Sequence, residues 1–164
     1  MLLENLQTLY LREIATLQRE LDLYPDDESV WKDLPGLPNS AGTIFLHLAG
    51  NLQHFFGATL GNTGYVRNRD AEFSKRDTPR SELKKELGAS QESIKAAFAN
   101  LAEAKLEQPF PVKVGDSELS TQGAILHFLS HLAYHLGQID YHRRAVTGNS
   151  TPAKFGSTSE LTRK

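Results

Sequence analysis

Four of the six histidines fall in one stretch, residues 120–144, STQGAILHFLSHLAYHLGQIDYHRR. At about 100° per residue on a helix, His127, His131, His135, Gln138 and His142 lie within roughly 80° of one another. Ile125, Phe128, Leu129, Leu132, Leu136 and Ile139 form an apolar stripe beside them. An imidazole-lined edge against a core is what a metal site inside a helical bundle needs, because ligands there project from facing helices. His131 and His135 are one turn apart, so both rings can reach a single ion. His127 and His135 are separated by ~12 Å of helix rise, too far to share that ion comfortably. A third ligand is therefore expected from another helix. Residues 40–59 supply the candidates: His47, Asn51 and His54 cluster within about 60° on one edge. Periodicity leaves His47 and His54 both open.

The residues that are missing narrow the chemistry. The chain has no cysteine, which excludes a disulfide framework, a zinc-finger site and a cysteine nucleophile, and leaves His, Asp or Glu as ligands. His131-Leu132-Ala133-Tyr134-His135 has no glutamate after its first histidine, so it is not the zincin motif with a built-in base. No Glu-x-x-His occurs, which argues against a carboxylate-bridged di-iron bundle. Asp140 falls on the opposite face of its helix. Three neutral imidazoles with open coordination positions suit Zn²⁺, Ni²⁺ or a similar divalent ion acting as a Lewis acid or as an activator of thiol or water. His142, near the end of its helix, reads as structural, since the helix dipole favours a cation there. His127 and His54 read as supporting groups or as buried polar residues.

Four helices must position these residues. Leu3, Leu6, Tyr10, Ile14 (or Leu17) and Leu21 mark an amphipathic first helix over residues 2–23. A Pro/Asp/Gly-rich connection follows, in which Trp31 packs the loop onto the bundle. Ser40 caps the second helix, about 40–59, whose core stripe is Ile44, Phe45, Leu48, Leu52, Phe55 and Phe56. Residues 60–77 read as a long loop. Within it, Arg67-Asn68-Arg69-Asp70 is either pinned by its own hydrogen bonds or forms an anion-recognising rim beside a site. Thr78 as N-cap with Pro79 at the first helical position starts the third helix, which runs to about residue 104. Residues 105–119 form a short extended excursion with a turn. Ser120 caps the fourth helix, which ends at Gly148, and the polar tail is irregular or docked through Phe155.

The pattern predicts a single all-α domain, a four-helix bundle spanning 1–164 with its core in 2–146 and a polar tail at 147–164. A length of 164 residues is enough to bury a real core. A formal charge of −2 gives no electrostatic footprint for nucleic acid. No apolar run approaches the ~20 residues needed to span a bilayer. The opening MLLENLQTLYLREI lacks the basic start and cleavage site of a secretory leader, so a cytoplasmic location is expected.

The combination of His47 in FLHLAGN with His131-x-x-x-His135-x-Gly137-Gln138 resembles the DinB/YfiT-like metalloenzymes. HLAGN followed by Arg67-Asn68-Arg69-Asp70-x-Glu72-Phe73 resembles a bacterial branch of that group with no assigned function. The resemblance spans residues 2–146. It implies a bundle of up-down-down-up topology that binds one divalent metal, and, carried over by position, it makes His47, His131 and His135 the ligands. Some members of such a group use the site with low-molecular-weight thiols, such as bacillithiol or mycothiol, to transfer or isomerise a small-molecule substrate; no catalytic residue beyond the triad carries over. Asn51 and Gln138 are candidates for orienting an imidazole or a bound water, and Arg67 and Arg69 for holding the carboxylate of a thiol cosubstrate. Two function classes follow: a metal-dependent thiol transferase, isomerase or hydrolase, or a non-catalytic metal- or ligand-binding bundle in stress response or assembly. A homodimer is compatible with either.

Overall fold

The computed structural model describes residues 2–153, 156 and 158–161. The expected docking of the tail through Phe155 lies outside them. All regular structure among the described residues is helical. Helix α1 (Leu2–Asp22) buries Leu6, Tyr10, Ile14, Leu17 and Leu21, the apolar positions spaced three and four apart in its sequence. Helix α3 (Ala41–Leu52) starts where Ser40 Oγ accepts the backbone N–H of Thr43 at 3.3 Å, and it continues as a π-helical turn over Gln53–Ala58. That turn places the adjacent Phe55 and Phe56 both in the core. Phe55 stacks on Phe128 at 4.3 Å, and Phe56 meets Tyr10 at 4.7 Å.

Helix α5 (Arg80–Ala99) begins and ends differently from the expectation. Pro79 is extended and occupies the N-cap position, with no side-chain cap. Thr78, expected as the cap, instead gives its carbonyl to Trp31 Nε1 at 3.0 Å. At the other end the helix stops at Ala99, and Glu103–Lys105 forms a separate 3-10 turn. In residues 105–119 the extended excursion is reduced to two isolated antiparallel bridges, with Gly115 at positive φ in the turn between Val114 and Ser117. Helix α6 (Thr121–Thr147) has both predicted ends. Ser120 Oγ accepts the Gly123 N–H at 3.1 Å, and Gly148 closes the helix in the left-handed conformation.

Two short helices sit in connections that read as loops. Asp26 caps α2 (Asp27–Val30) through Ser29 N–H at 2.8 Å. Asn68 caps α4 (Arg69–Ser74) through Ala71 N–H at 3.0 Å. At four and six residues neither is long enough to show a periodic face.

The four long helices enclose one core. Helix α1 packs on α5 and α6, α3 packs on the same two, and α4 lies against α3. Trp31 covers the start of α3, where a Cβ on Gly42 would stand 2.5 Å from its indole. Behind the core, the fully buried guanidinium of Arg143 is held by Glu20 and Asp140 and donates to the carbonyls of Asn149 and Thr151. That clamp ties the segment after α6 back to α1. No helix among the described residues is long and apolar enough to cross a membrane.

Candidate metal centre

Where α3 meets α6, three histidines converge. His47 comes from α3, and His131 and His135 come from successive turns of α6. His47 Nε2 and His131 Nε2 are 3.2 Å apart. One nitrogen from each ring lies within 4.8 Å of the other two. The ring planes cross at 77°, 79° and 84°, so the imidazoles surround a corner instead of stacking.

Each ring is held differently. Glu72 Oε2 lies 3.0 Å from His47 Nδ1. Burial pushes the Glu72 carboxyl up, but hydrogen bonds from His47 and Arg67 outweigh it and hold the group below its ordinary range. An ionised carboxylate can only accept, so His47 Nδ1 donates to Glu72, and Nε2 is the nitrogen of that ring that faces His131. Gln138 Oε1 lies 2.6 Å from His135 Nδ1 and accepts its proton, which leaves Nε2 of that ring free. Burial also pushes His135 down, against the opposing effect of the Gln138 bond. Burial, then the imidazoles of His135, His47 and His127 and the charge of Arg67, push His131 down to about 4. His131 and His135 therefore present neutral rings at pH 7.

The donor set fits a divalent cation. Two imidazole nitrogens bound to one zinc at ~2.05 Å in a tetrahedral arrangement are about 3.3 Å apart, close to the observed His47–His131 spacing. His131 Nδ1 is buried without a hydrogen-bond partner, and so is Asn51 Oδ1, one turn beyond His47. Buried polar atoms are rarely left so. Here one orphan is on a converging ring and the other on the helix that faces it.

No role for Glu72 is legible in the sequence. It is 25 positions from His47 in sequence, and the six-residue α4 that carries it has no readable periodicity. Arg67 forks onto it, with Nε 2.6 Å from Oε1 and Nη2 2.9 Å from Oε2. The contacts of Arg67 are thus those of a pinned loop, whereas Arg69 lies exposed over the Phe73 ring at 5.0 Å. Gly50 makes room for the carboxylate, since a Cβ there would stand 2.2 Å from Glu72 Oε1. The glycine of HLAGN and the glutamate of the following motif are two halves of one contact.

The other histidines stay outside the cluster. His54 is seven residues beyond His47, ~10 Å along the helix, and packs edge-on against Phe55. His127 is exposed, its ring 6.4 Å from that of His131. His142 is buried as expected of a structural residue, but not as a cation. Tyr24 Oη lies 2.8 Å from its Nδ1 and the Lys32 carbonyl 2.8 Å from its Nε2, and burial pushes its pKa down. Asp140 is turned to Arg143 and Arg144, away from the triad.

Fold and site together define an all-helical protein with a three-histidine cluster able to hold a metal ion. The chain belongs to the DinB-like family described as "Protein of unknown function (DUF1572)", whose model matches residues 3–153. No curated protein and no solved structure matches it.

Proposed function

We propose that this protein binds one divalent metal ion, zinc or nickel, through His47, His131 and His135, in a DinB-like four-helix bundle of up-down-down-up topology. The single observation that carries the reading is the convergence of the three imidazoles, with two of their Nε2 atoms 3.2 Å apart. The bundle reading is supported by each long helix packing on two others. When bound, the ion supplies Lewis acidity and lowers the pKa of a thiol or water brought to it. The protein's own residues supply the rest. Glu72 fixes the tautomer and orientation of His47, Gln138 does the same for His135, and Arg67 keeps Glu72 ionised and in place.

The reaction class we assign is transfer or isomerisation of an uncharged substrate with a low-molecular-weight thiol. The chain has no cysteine of its own, so a thiol nucleophile has to come from outside. Arg69, exposed at the start of α4, is the cation available for the thiol's carboxylate, because Arg67 is engaged by Glu72. The test begins with metal analysis of protein purified without a histidine tag, followed by zinc titration calorimetry of His47→Ala, His131→Ala and His135→Ala. Each variant should lose stoichiometric metal with little change in helicity. Undiminished zinc binding in any one would remove that residue from the site. Thiol titration of metal-loaded and metal-free protein then tests the chemistry: equal or absent binding in both forms would leave a non-catalytic metal-binding bundle.

A further inference from the structure

A cleft of about 730 Å³ lies beside the histidine cluster and shares Gln138 with it. Leu34, Leu37 and Pro38 from the connection before α3, Ile44 of α3, and Tyr134 and Tyr141 of α6 line it. Leu37 is 47% exposed, Tyr134 65% and Tyr141 77%, so the cleft leaves large apolar side chains in contact with solvent. Its volume is that of a small-molecule site.

The lining also says what kind of molecule fits. It contains no Asp, Glu, Lys or Arg. His142 touches the cleft, but both its nitrogens are engaged by Tyr24 and Lys32. A charged ligand would lose its hydration there and find no oppositely charged side chain, whereas the two tyrosines and the aliphatic residues suit a flat apolar body. Asn39 and the two tyrosines also bring polar groups to the cleft, and Gln138 is the one that touches the cluster. Gln138 gives its carbonyl oxygen to His135, while its amide nitrogen makes no hydrogen bond among the described residues. That N–H donor sits at the junction of cleft and cluster.

We propose that the cleft binds an uncharged small molecule with a flat apolar body, and that Gln138 takes the molecule's hydrogen-bond acceptor beside the three histidines. Occupancy of the cleft does not require the ion; only its use as the substrate pocket rests on the metal reading. The probe is prodan, an uncharged naphthalene ketone whose emission shifts to the blue in apolar surroundings. Wild-type protein, metal-free and zinc-loaded, should bind it saturably with a blue shift. Gly137 lines the cleft, and a Cβ added there meets nothing within 4 Å. The backbone there admits a side chain, so Gly137→Leu narrows the cleft beside Gln138, and leucine is the better helix former by about 1 kcal/mol. It should weaken prodan binding by at least about tenfold, equivalent to ~1.4 kcal/mol. Gln138→Met should weaken it in the metal-free protein as well, whereas Ala133→Leu, exposed on the same helix outside the cleft, should not.

Absent binding in wild type, or equal binding by wild type and Gly137→Leu, overturns the proposal. So does a change of mass in sedimentation equilibrium on making Gly137→Leu, since the face would then be a contact between copies of the chain. Zinc titration of the same samples keeps the two readings apart. Prodan binding without zinc binding sinks the metal site alone, and zinc binding without prodan binding sinks the cleft alone.

Discussion

Replacing Glu72 by glutamine keeps its shape and removes its charge. The side chain is 5% exposed and joins two partners, His47 Nδ1 at 3.0 Å and the Arg67 fork. Toward His47, a hydrogen bond to a charged group contributes about 1.5–3 kcal/mol. Outer partners of metal-bound histidines affect affinity by about 10–100-fold, or ~1.4–2.8 kcal/mol. The two routes agree, so Glu72→Gln should weaken zinc binding by one to two orders of magnitude. Toward Arg67, the glutamine carbonyl still accepts one bond, and the stability loss should stay below the ~3–5 kcal/mol typical when a buried pair is broken. Arg67→Met in the Glu72→Gln background removes the stranded charge and should recover part of that stability without restoring zinc affinity. The assay is competitive zinc titration against a chelator, with urea unfolding of the metal-free proteins alongside. An affinity within twofold of wild type would refute the role assigned to Glu72. A loss beyond about a thousandfold, well outside the range for an outer partner, would mean the carboxylate itself ligates the ion.

The same contact is reached from the other side by Gly50→Ala. Its Cβ would stand 2.2 Å from Glu72 Oε1, so the carboxylate must move. Zinc affinity should fall about as far as in Glu72→Gln, with an overpacking cost of about 1–3 kcal/mol in thermal or urea unfolding; unchanged affinity would show that the carboxylate's position does not matter. His142 sets an acid sensitivity. Burial lowers its folded pKa below the unfolded value of about 6.5. Its stability contribution is complete above that pH and is lost as pH falls through and below it, because only the unfolded chain takes up the proton. In metal-free protein, His142→Gln should therefore reduce the slope of stability against pH below about 6.5 by up to ~1.4 kcal/mol per unit; an unchanged slope would assign the acid sensitivity elsewhere.

The sequence made the helices and two-thirds of the triad legible for a physical reason. His131 and His135 sit one turn apart on a 27-residue helix whose periodicity is unbroken and whose caps, Ser120 and Gly148, are standard chemistry. His47 and His54 could not be separated in that way, because both fall on one edge of α3 and only the axial level at which α3 crosses α6 decides. Resemblance supplied His47, and in the structure that residue lies level with the pair. Glu72 was illegible for the opposite reason. It belongs to a six-residue helix whose position depends on Asn68 capping it and on Gly50 admitting its carboxylate. A tertiary fit of this kind leaves no period in the sequence.

The triad is consequently held by parts of unequal stiffness. His47, His131 and His135 stand on helices that share the aromatic core of Tyr10, Phe56 and Phe128, so their backbones move only if that core does. Glu72 stands on α4, whose attachment is local: the Asn68 cap, the Phe73 ring 5.1 Å from His47, and the Arg67 fork. Residues 59–68 before it form no regular helix beyond the turn at its start. The geometry of the three nitrogens is thus set by the core. The hydrogen bond from His47 Nδ1 to Glu72, which orients that ring, is set by a short segment outside the long helices. In the proposed metal site, a change in this segment would therefore tune affinity while leaving the three histidines untouched, and Arg67 is the residue through which it would act.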